Sequence, residues 1–312
     1  MPAERHPERP DAAEARRAAD RAAAGYDDAA VLQREVGRRM GERLALVRLQ
    51  PATILDAGCG TGEALTELAA RYPGATIIGL DFAERMIAAA KRRAAALSAP
   101  PGAVLAKLIG LRALARGAIS FVCGDATRLP IAPNSVDLVW SNLMLPSVGE
   151  PPAALAEFLR VLKVGGFLMF TTFGPDTLKE LRAAFAGIDR ATHVGGFIDM
   201  HDVGDMLVET GFAEPVMDAE TITLTYADAI AMMRELKAIG AHNATLARPR
   251  GLMGRVRWAR MLAALERFRR EGRLPATFEV VYGHAWKPEP RFAADGRAIV
   301  RFERRRDADE SQ

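Results

Sequence analysis

Residues Ile54-Leu55-Asp56-Ala57-Gly58-Cys59-Gly60-Thr61-Gly62 pass from an apolar pair through an acid into three alternating glycines. Glycines in that rhythm permit a sharp strand-to-helix turn and let a ligand lie against bare backbone. A helix opening at Glu63 aims its first amides at whatever sits there. This is the chemistry of a nucleotide-type loop. The dinucleotide fingerprint, however, asks for its third glycine one position later, where Glu63 stands. Asp81 follows Gly62 by nineteen residues and ends a second apolar run. At that spacing an acid accepts from both ribose hydroxyls and repels a 2′-phosphate; its alternative role is to cap the helix beginning at Glu84. Gly124-Asp125-Ala126 follows a third run. A carboxylate there can accept from the amino group of a base while a neighbouring amide donates to the ring, or it can close an Asx turn. Phe82 and Met86 are candidates to pack on the base, Met86 equally for the core. Tyr26 and Gln33 lie seven residues apart on one expected helix, so they share a face that can cover the ligand.

These residues require a frame that brings them together. The pattern predicts a helix from about Ala22 to Leu49, ended by Pro51, then strands at Thr53–Asp56, Thr76–Asp81, Ile119–Cys123, Val136–Ser141 and Phe167–Phe173. Helices are expected over Glu63–Arg71, Glu84–Leu97 and Pro152–Leu162, the last stopped by Gly165-Gly166. Two further strand-like runs, Glu220–Thr225 and Thr277–Tyr282, bracket a mostly helical stretch. Strands alternating with helices imply an α/β fold: a doubly wound, mostly parallel seven-stranded, Rossmann-like sheet with a helical insert before its last strand. Such sheets bind ligands beyond the carboxyl ends of their strands. Asp56, Asp81, Asp125 and Ser141-Asn142 all fall at or just past such ends.

The expected organisation is a disordered lead over residues 1–20, a ligand-binding core over 21–225, a helical insert or lid over 226–275 on the substrate side, the final core strand over 276–290 and a tail over 291–312. Residues 98–117 carry leucines at helical spacing with interleaved basic residues and read as an amphipathic helix packed on the body.

Composition narrows the classes. The chain has 312 residues, 49% of them hydrophobic, with 42 basic and 39 acidic side chains and a net charge of +3. That balance does not point to nucleic acid, although an arginine-rich surface suits an acidic partner. Two cysteines, Cys59 and Cys123, make neither a disulfide framework nor a metal pattern, so no metal is expected and a reduced cytoplasm is the default. No segment approaches the apolar length of a transmembrane span, and the N-terminus has no apolar signal core. The five histidines have no triad or metal spacing, and each reads as structural except His242, which sits in a polar cluster with Lys237, Asn243, Arg248 and Arg250. Arg255, Arg257, Arg260, Arg267, Arg269 and Arg270 follow. A guanidinium fork is the natural bidentate partner of a carboxylate, so this insert either grips an anionic acceptor or is a solvated arginine-rich helix.

Asp56–Gly62, with its D-x-G-x-G-x-G spacing, resembles the first motif of class I S-adenosylmethionine-dependent methyltransferases. Further stretches resemble one family among them, the malonyl-acyl-carrier-protein O-methyltransferases of biotin synthesis. They are Ser141–Leu145, Thr172–Leu178, Ile198–Asp202, Leu236–Thr245 and Pro275–Trp286, with Tyr26 and Leu32–Glu35 fitting as well. The resemblance spans roughly residues 20–288 and departs at Pro146-Ser147, where the family usually carries a polar or aromatic pair. It implies S-adenosyl-L-methionine as cofactor, held by Tyr26, Gln33, Asp56, Gly58, Gly60, Gly62, Asp81, Phe82, Met86, Asp125, Ala126, Ser141 and Asn142. Asp56 would orient the amino-acid end or face the sulfonium. It implies methylation of the free carboxylate of a malonyl thioester, with Lys237, His242, Asn243, Arg248 and Arg250 on the acceptor side and an acidic acyl carrier protein as partner. Methyl transfer to an anion needs little acid–base work, so no catalytic residue is demanded; His242 and Asn243 are candidates for positioning. Three other readings share the motifs: a hydroxylase or assembly factor related to a mitochondrial complex I family, a non-enzymatic scaffold, and a carboxyl methyltransferase with another small acceptor.

Overall fold

The computed structural model describes residues 9–98, 117–189, 191–241, 243–249, 251 and 253–290. The amphipathic stretch expected within 98–117, the tail, and the candidates His242 and Arg250 lie largely or wholly outside them.

Seven strands form one sheet: β1 (Thr53–Ala57), β2 (Thr76–Asp81), β3 (Ile119–Cys123), β4 (Val136–Ser141), β5 (Leu162–Phe173), β6 (Ala213–Tyr226) and β7 (Leu274–Trp286), in the order β3-β2-β1-β4-β5-β7-β6. The first five are parallel; β7 runs antiparallel between β5 and β6. Side-chain alternation fills both faces. Ile54, Leu138, Trp140, Phe167 and Met169 point to one layer, while Leu55, Val139, Leu168 and Phe170 point to the other. Each such side chain contributes about 1.5–3 kcal/mol when fully buried, which is why the strands read as near-continuous apolar runs.

The first layer is completed by α3 (Val31–Leu44), α4 (Glu63–Arg71), α9 (Ala229–Ala238) and α10 (Arg255–Glu266) through Val36, Met40, Leu68, Met232, Met261 and Leu265. The second is completed by α6 (Pro151–Val161) and α8 (Met200–Thr210) through Leu155, Phe158, Val203 and Leu207. Short α2 (Tyr26–Ala29), α5 (Glu84–Ser98) and α7 (Lys179–Ala186) fill the remaining positions. The chain reverses direction across the sheet between β1 and β4, and the glycine loop leaves β1 at that point.

Four boundaries differ from expectation. The long helix over 22–49 is broken at Ala30 (φ −80°, ψ 44°) into α2 and α3. Asp27 on α2 accepts from Thr61 Oγ1 at 2.5 Å and pairs with Arg93 at 2.6 Å, so tertiary contacts pull this turn down onto the glycine loop. The expected disordered lead contains α1 (Ala12–Ala22), capped by Asp11, which accepts from the amides of Ala13 and Glu14. Its Ala18 and Ala22 are buried, and the helix packs on α5. Strand β5 begins at Leu162 rather than Phe167. The β6–β7 pair is longer than either apolar run, because continuous antiparallel pairing from Val216 to Tyr226 carries polar residues along.

Candidate functional site

The carboxyl ends of β1 to β5 open into a cleft of about 1120 Å³. Its lining runs from Gly124–Arg128 after β3, past Asp81 and Phe82, to the insert and the loops after β5.

The glycine loop forms its floor. Gly58 has φ +81°, and a Cβ there would stand 2.5 Å from the Met144 side chain. Gly60 has φ +53° with nothing within 4 Å of its would-be Cβ, so its backbone faces open cleft. The Gly60 amide donates to Asp81 Oδ2 at 3.0 Å, and the Ala83 amide donates to Oδ1 at 2.8 Å. Asp81 is thereby locked at the end of β2, its Oδ1 closing a turn just before α5 while the carboxylate faces the cleft. Gly62, at φ +83°, lies behind the loop, where its would-be Cβ meets Ala90 Cα at 3.2 Å; it lets α4 approach α5 and does not line the cleft.

Asp56 is 2% exposed, and its Oδ2 has no hydrogen-bond partner. Burial, with Asp81's charge adding, pushes its carboxyl up to about 8; burial likewise lifts Asp81 to about 6 against the pull of its backbone donors. Ser141 Oγ, at the end of β4, and Gln33 Oε1, on α3, are also buried without partners. Buried polar atoms are normally satisfied, so orphaned atoms of Asp56, Ser141 and Gln33 at or beneath this cleft, with two acids among its groups, fit a polar, cationic ligand.

Tyr26, Gln33, Phe82, Met86, Asp125, Ala126 and Asn142 line the same cleft as Gly58, Gly60 and Asp81. Asn142 is fully engaged: Nδ2 donates to the Gln33 carbonyl at 2.9 Å and Oδ1 accepts from Thr171 at 2.8 Å. Asp125 accepts from the Thr127 amide and hydroxyl at 2.8 Å, so Oδ1 closes an Asx turn. Asp56 and Ser141 lie beneath the lining.

The expected acceptor side is divided. Asn243 lines the cleft, but its amide is spent on structure: Nδ2 donates to the Thr192 carbonyl and Oδ1 accepts from Thr245. Lys237 is exposed in the last turn of α9 and does not reach the lining. Arg248 is turned away to Asp11 at 3.1 Å and Glu14 at 3.8 Å, which neutralises it against α1.

Sequence reasoning missed three contributors. The segment Arg9–Asp11 forms a strap. Pro10 bridges Thr245, the Asp11 amide donates to the Ala244 carbonyl at 2.6 Å, the Leu246 amide donates to the Arg9 carbonyl, and Arg9 pairs with Glu150 at 3.2 Å. Through it, α1 brings Ala15, Arg16 and Ala19 to the cleft. Leu143 and Leu178 line the cleft with φ of +53° and +54°, a strained conformation for a branched side chain, held by bonds from their amides to Thr171 Oγ1 and the Thr277 carbonyl. His193, set aside as structural, lines the cleft as well. Asp11 followed by Glu14 is a readable capping pattern; nothing local signals the other two.

The sequence over residues 55–170, β1 through β5, matches the family model described as a methyltransferase domain. Two solved structures share the fold: the YcgJ protein of Bacillus subtilis (14% identity, TM-score 0.53, covering 80% of this chain and 98% of that one) and a putative methyltransferase of Bacillus halodurans (14%, 0.56, 80% and 99%). Much nearer in sequence are the malonyl-[acyl-carrier protein] O-methyltransferases of Laribacter hongkongensis, 57% identical over 91% of this chain and 93% of that one, and of Gallionella capsiferriformans, 54% identical over 92% and 94%. That of Methylovorus sp. is 51% identical over 94% and 95%. With half or more of all positions shared along nearly its whole length, and with the fold and cleft of a methyltransferase, this chain belongs to the malonyl-[acyl-carrier protein] O-methyltransferase family.

Proposed function

We propose that the protein transfers a methyl group from S-adenosylmethionine to the free carboxylate of malonyl-acyl carrier protein, serving biotin precursor synthesis. Family membership across almost the whole chain carries this reading, and the chemistry of the cleft agrees with it. When bound, S-adenosylmethionine supplies a methyl on a positively charged sulfur, so an acceptor oxygen forms the new C–O bond while the C–S electron pair withdraws to sulfur, leaving the methyl ester and S-adenosylhomocysteine. The acceptor is already ionised, so no proton has to move.

The protein's task is therefore to hold and enclose. Asp81 accepts from the ribose hydroxyls, with Gly60 leaving the backbone free of side chain. Asp125 and the Ala126 amide face the adenine edge, and Phe82 and Met86 pack on its ring. Asp56 places negative charge beneath the cationic end. Gln33, Ser141 and Asn142 frame that end, and Tyr26 is laid over it by the Asp27–Thr61 contact. Leu143, Leu178, Phe173 and Phe278 keep water from the reacting atoms. Removing the acceptor's charge yields a neutral chain that apolar pockets of elongating enzymes accept.

The carrier is acidic and meets the exposed arginines of α10. Arg255, Arg257 and Arg260 are exposed on α10, and Arg257 reaches within 3.7 Å of Asp189. Among the described residues no helix is long and apolar enough to cross a membrane. The free thiol of exposed Cys123 suits the reducing cytoplasm, where we place the enzyme. The test is direct. Incubated with S-adenosylmethionine, malonyl carrier protein gains the mass of one methyl group and acetyl carrier protein does not; an unchanged malonyl carrier removes this assignment.

A further inference from the structure

The acceptor end of the cleft, between the insert and the loops after β5, is walled by Phe173, Leu178, Leu181 and Phe278. Such walls exclude water well but offer a carboxylate nothing. Among the ionisable side chains lining the cleft, His193 belongs to the segment that follows α7 on this side.

The ring of His193 is built into place. It stacks on Phe185 with centroids 3.9 Å apart and planes 7° from parallel. Its Nε2 lies 2.8 Å from Asp189 Oδ1, an oxygen that also accepts from the Ala191 amide at 3.0 Å. The Asn243 side chain grips the Thr192 carbonyl from the insert, and Arg182 donates to the Gly195 carbonyl at 3.4 Å from α7. The side chain is 9% exposed. With Nε2 committed to Asp189, Nδ1 has no hydrogen-bond partner among the described residues. The charged groups packed around it are Asp189 itself and Arg257, whose Nη1 is 3.7 Å from Asp189 Oδ2.

Resting on the methyl-transfer reading above, we propose that His193 is the acceptor-carboxylate anchor: an imidazolium that donates from Nε2 to Asp189 and from Nδ1 to the free carboxylate of the malonyl group. A ring that carries both protons donates from both nitrogens. Charge-assisted bonds in an apolar enclosure are the strong ones, so a single cation suffices to select a dicarboxylic half-thioester over its uncharged analogues. The anchor also favours turnover: methylation removes the charge, the ion pair to His193 is lost, and the ester is held only by apolar walls. Asp189 acts through His193 and is a positioning residue.

The experiment measures turnover of malonyl carrier protein and its inhibition by acetyl carrier protein in the full chain, the preference being the inhibition constant of the acetyl form over the KM of the malonyl form, with S-adenosylmethionine affinity measured by calorimetry. Wild type prefers the malonyl form. In His193→Phe, which keeps the stack on Phe185, KM for malonyl carrier rises about tenfold or more, the malonyl-over-acetyl preference collapses, and cofactor affinity stays within about twofold. His193→Gln gives the same collapse should the aromatic exchange fail to fold. Asp189→Asn falls between wild type and these variants in preference. A preference retained in both His193 variants overturns the anchor. A parallel loss of cofactor affinity overturns it too, since it marks a structural role. A wild type that leaves malonyl carrier unmethylated instead removes the acceptor on which the proposal stands.

Discussion

Asp56 shows at the scale of one residue how a binding site opposes stability. Its carboxyl is pushed up to about 8 against an ordinary value of 3.8, burial first and Asp81 second. A carboxyl whose folded value is raised leaves the folded state fully stable below 3.8 and weakens it as pH climbs towards about 8. Asp56→Asn is therefore expected to raise the melting temperature of the ligand-free protein at pH 8, by on the order of 2 °C for each kcal/mol relieved, while cutting cofactor affinity at least about tenfold. A melting point unchanged at pH 8 refutes the argument. On the proposed placement of the sulfonium above Asp56, whose carboxyl burial pushes up to about 8, cofactor binding near pH 7 is expected to release a proton. Calorimetry in buffers of different ionisation enthalpy should show that release in wild type and its loss in Asp56→Asn.

Among the elements, α1 depends on a partner more than 200 positions away. Arg248, on the insert, pairs with the Asp11 cap, and its neighbours Ala244–Leu246 zip to Arg9–Asp11. The cap's own carboxyl is held below its usual range, first by the Glu14 amide, with Arg248 contributing. Arg248→Ala is expected to speed amide exchange across residues 12–22 and to weaken cofactor binding by about 1 kcal/mol, roughly fivefold. Unchanged exchange there argues that the strap holds without the guanidinium.

This dependence also explains what could be read from the sequence. The glycine loop, Asp81 and Asp125 are local: glycine rhythm and the two-residue period of buried strands place them at strand ends without knowledge of the rest. Residues 12–22 have the composition of a lead, and their helix becomes worthwhile only against α5 and the insert. His193 belongs to a loop without period, and its neighbours Phe185 and Asn243 are brought to it by the fold. Leu143 and Leu178 carry left-handed backbones that no leucine advertises.

For the molecule as a whole, charge is nearly balanced at +3, yet Arg255, Arg257 and Arg260 are all exposed along α10. Were the carrier acidic, as proposed above, steering by such a face would raise encounter rates with it and fade as salt screens it. kcat/KM for malonyl carrier is expected to fall about tenfold between low and physiological ionic strength. In Arg255→Glu/Arg260→Glu it should be lower at low salt and nearly flat, with turnover of malonyl-coenzyme A less affected. A salt profile unaltered by the double reversal would place the docking face elsewhere.

The position of β7 has a consequence for how the protein is made. Among the described residues β6 hydrogen-bonds to β7 and to no other strand, and β7 itself is wedged between β5 and β6. While the ribosome is still threading out the insert, β6 is a finished ribbon with nothing beside it, an open template for any passing chain. Only when Trp286 clears the exit tunnel can that ribbon be zipped shut. A premature stop codon between β6 and β7 therefore leaves a product bound for aggregation or proteolysis, even though the glycine loop and the loops after β2 and β3 have already been synthesised.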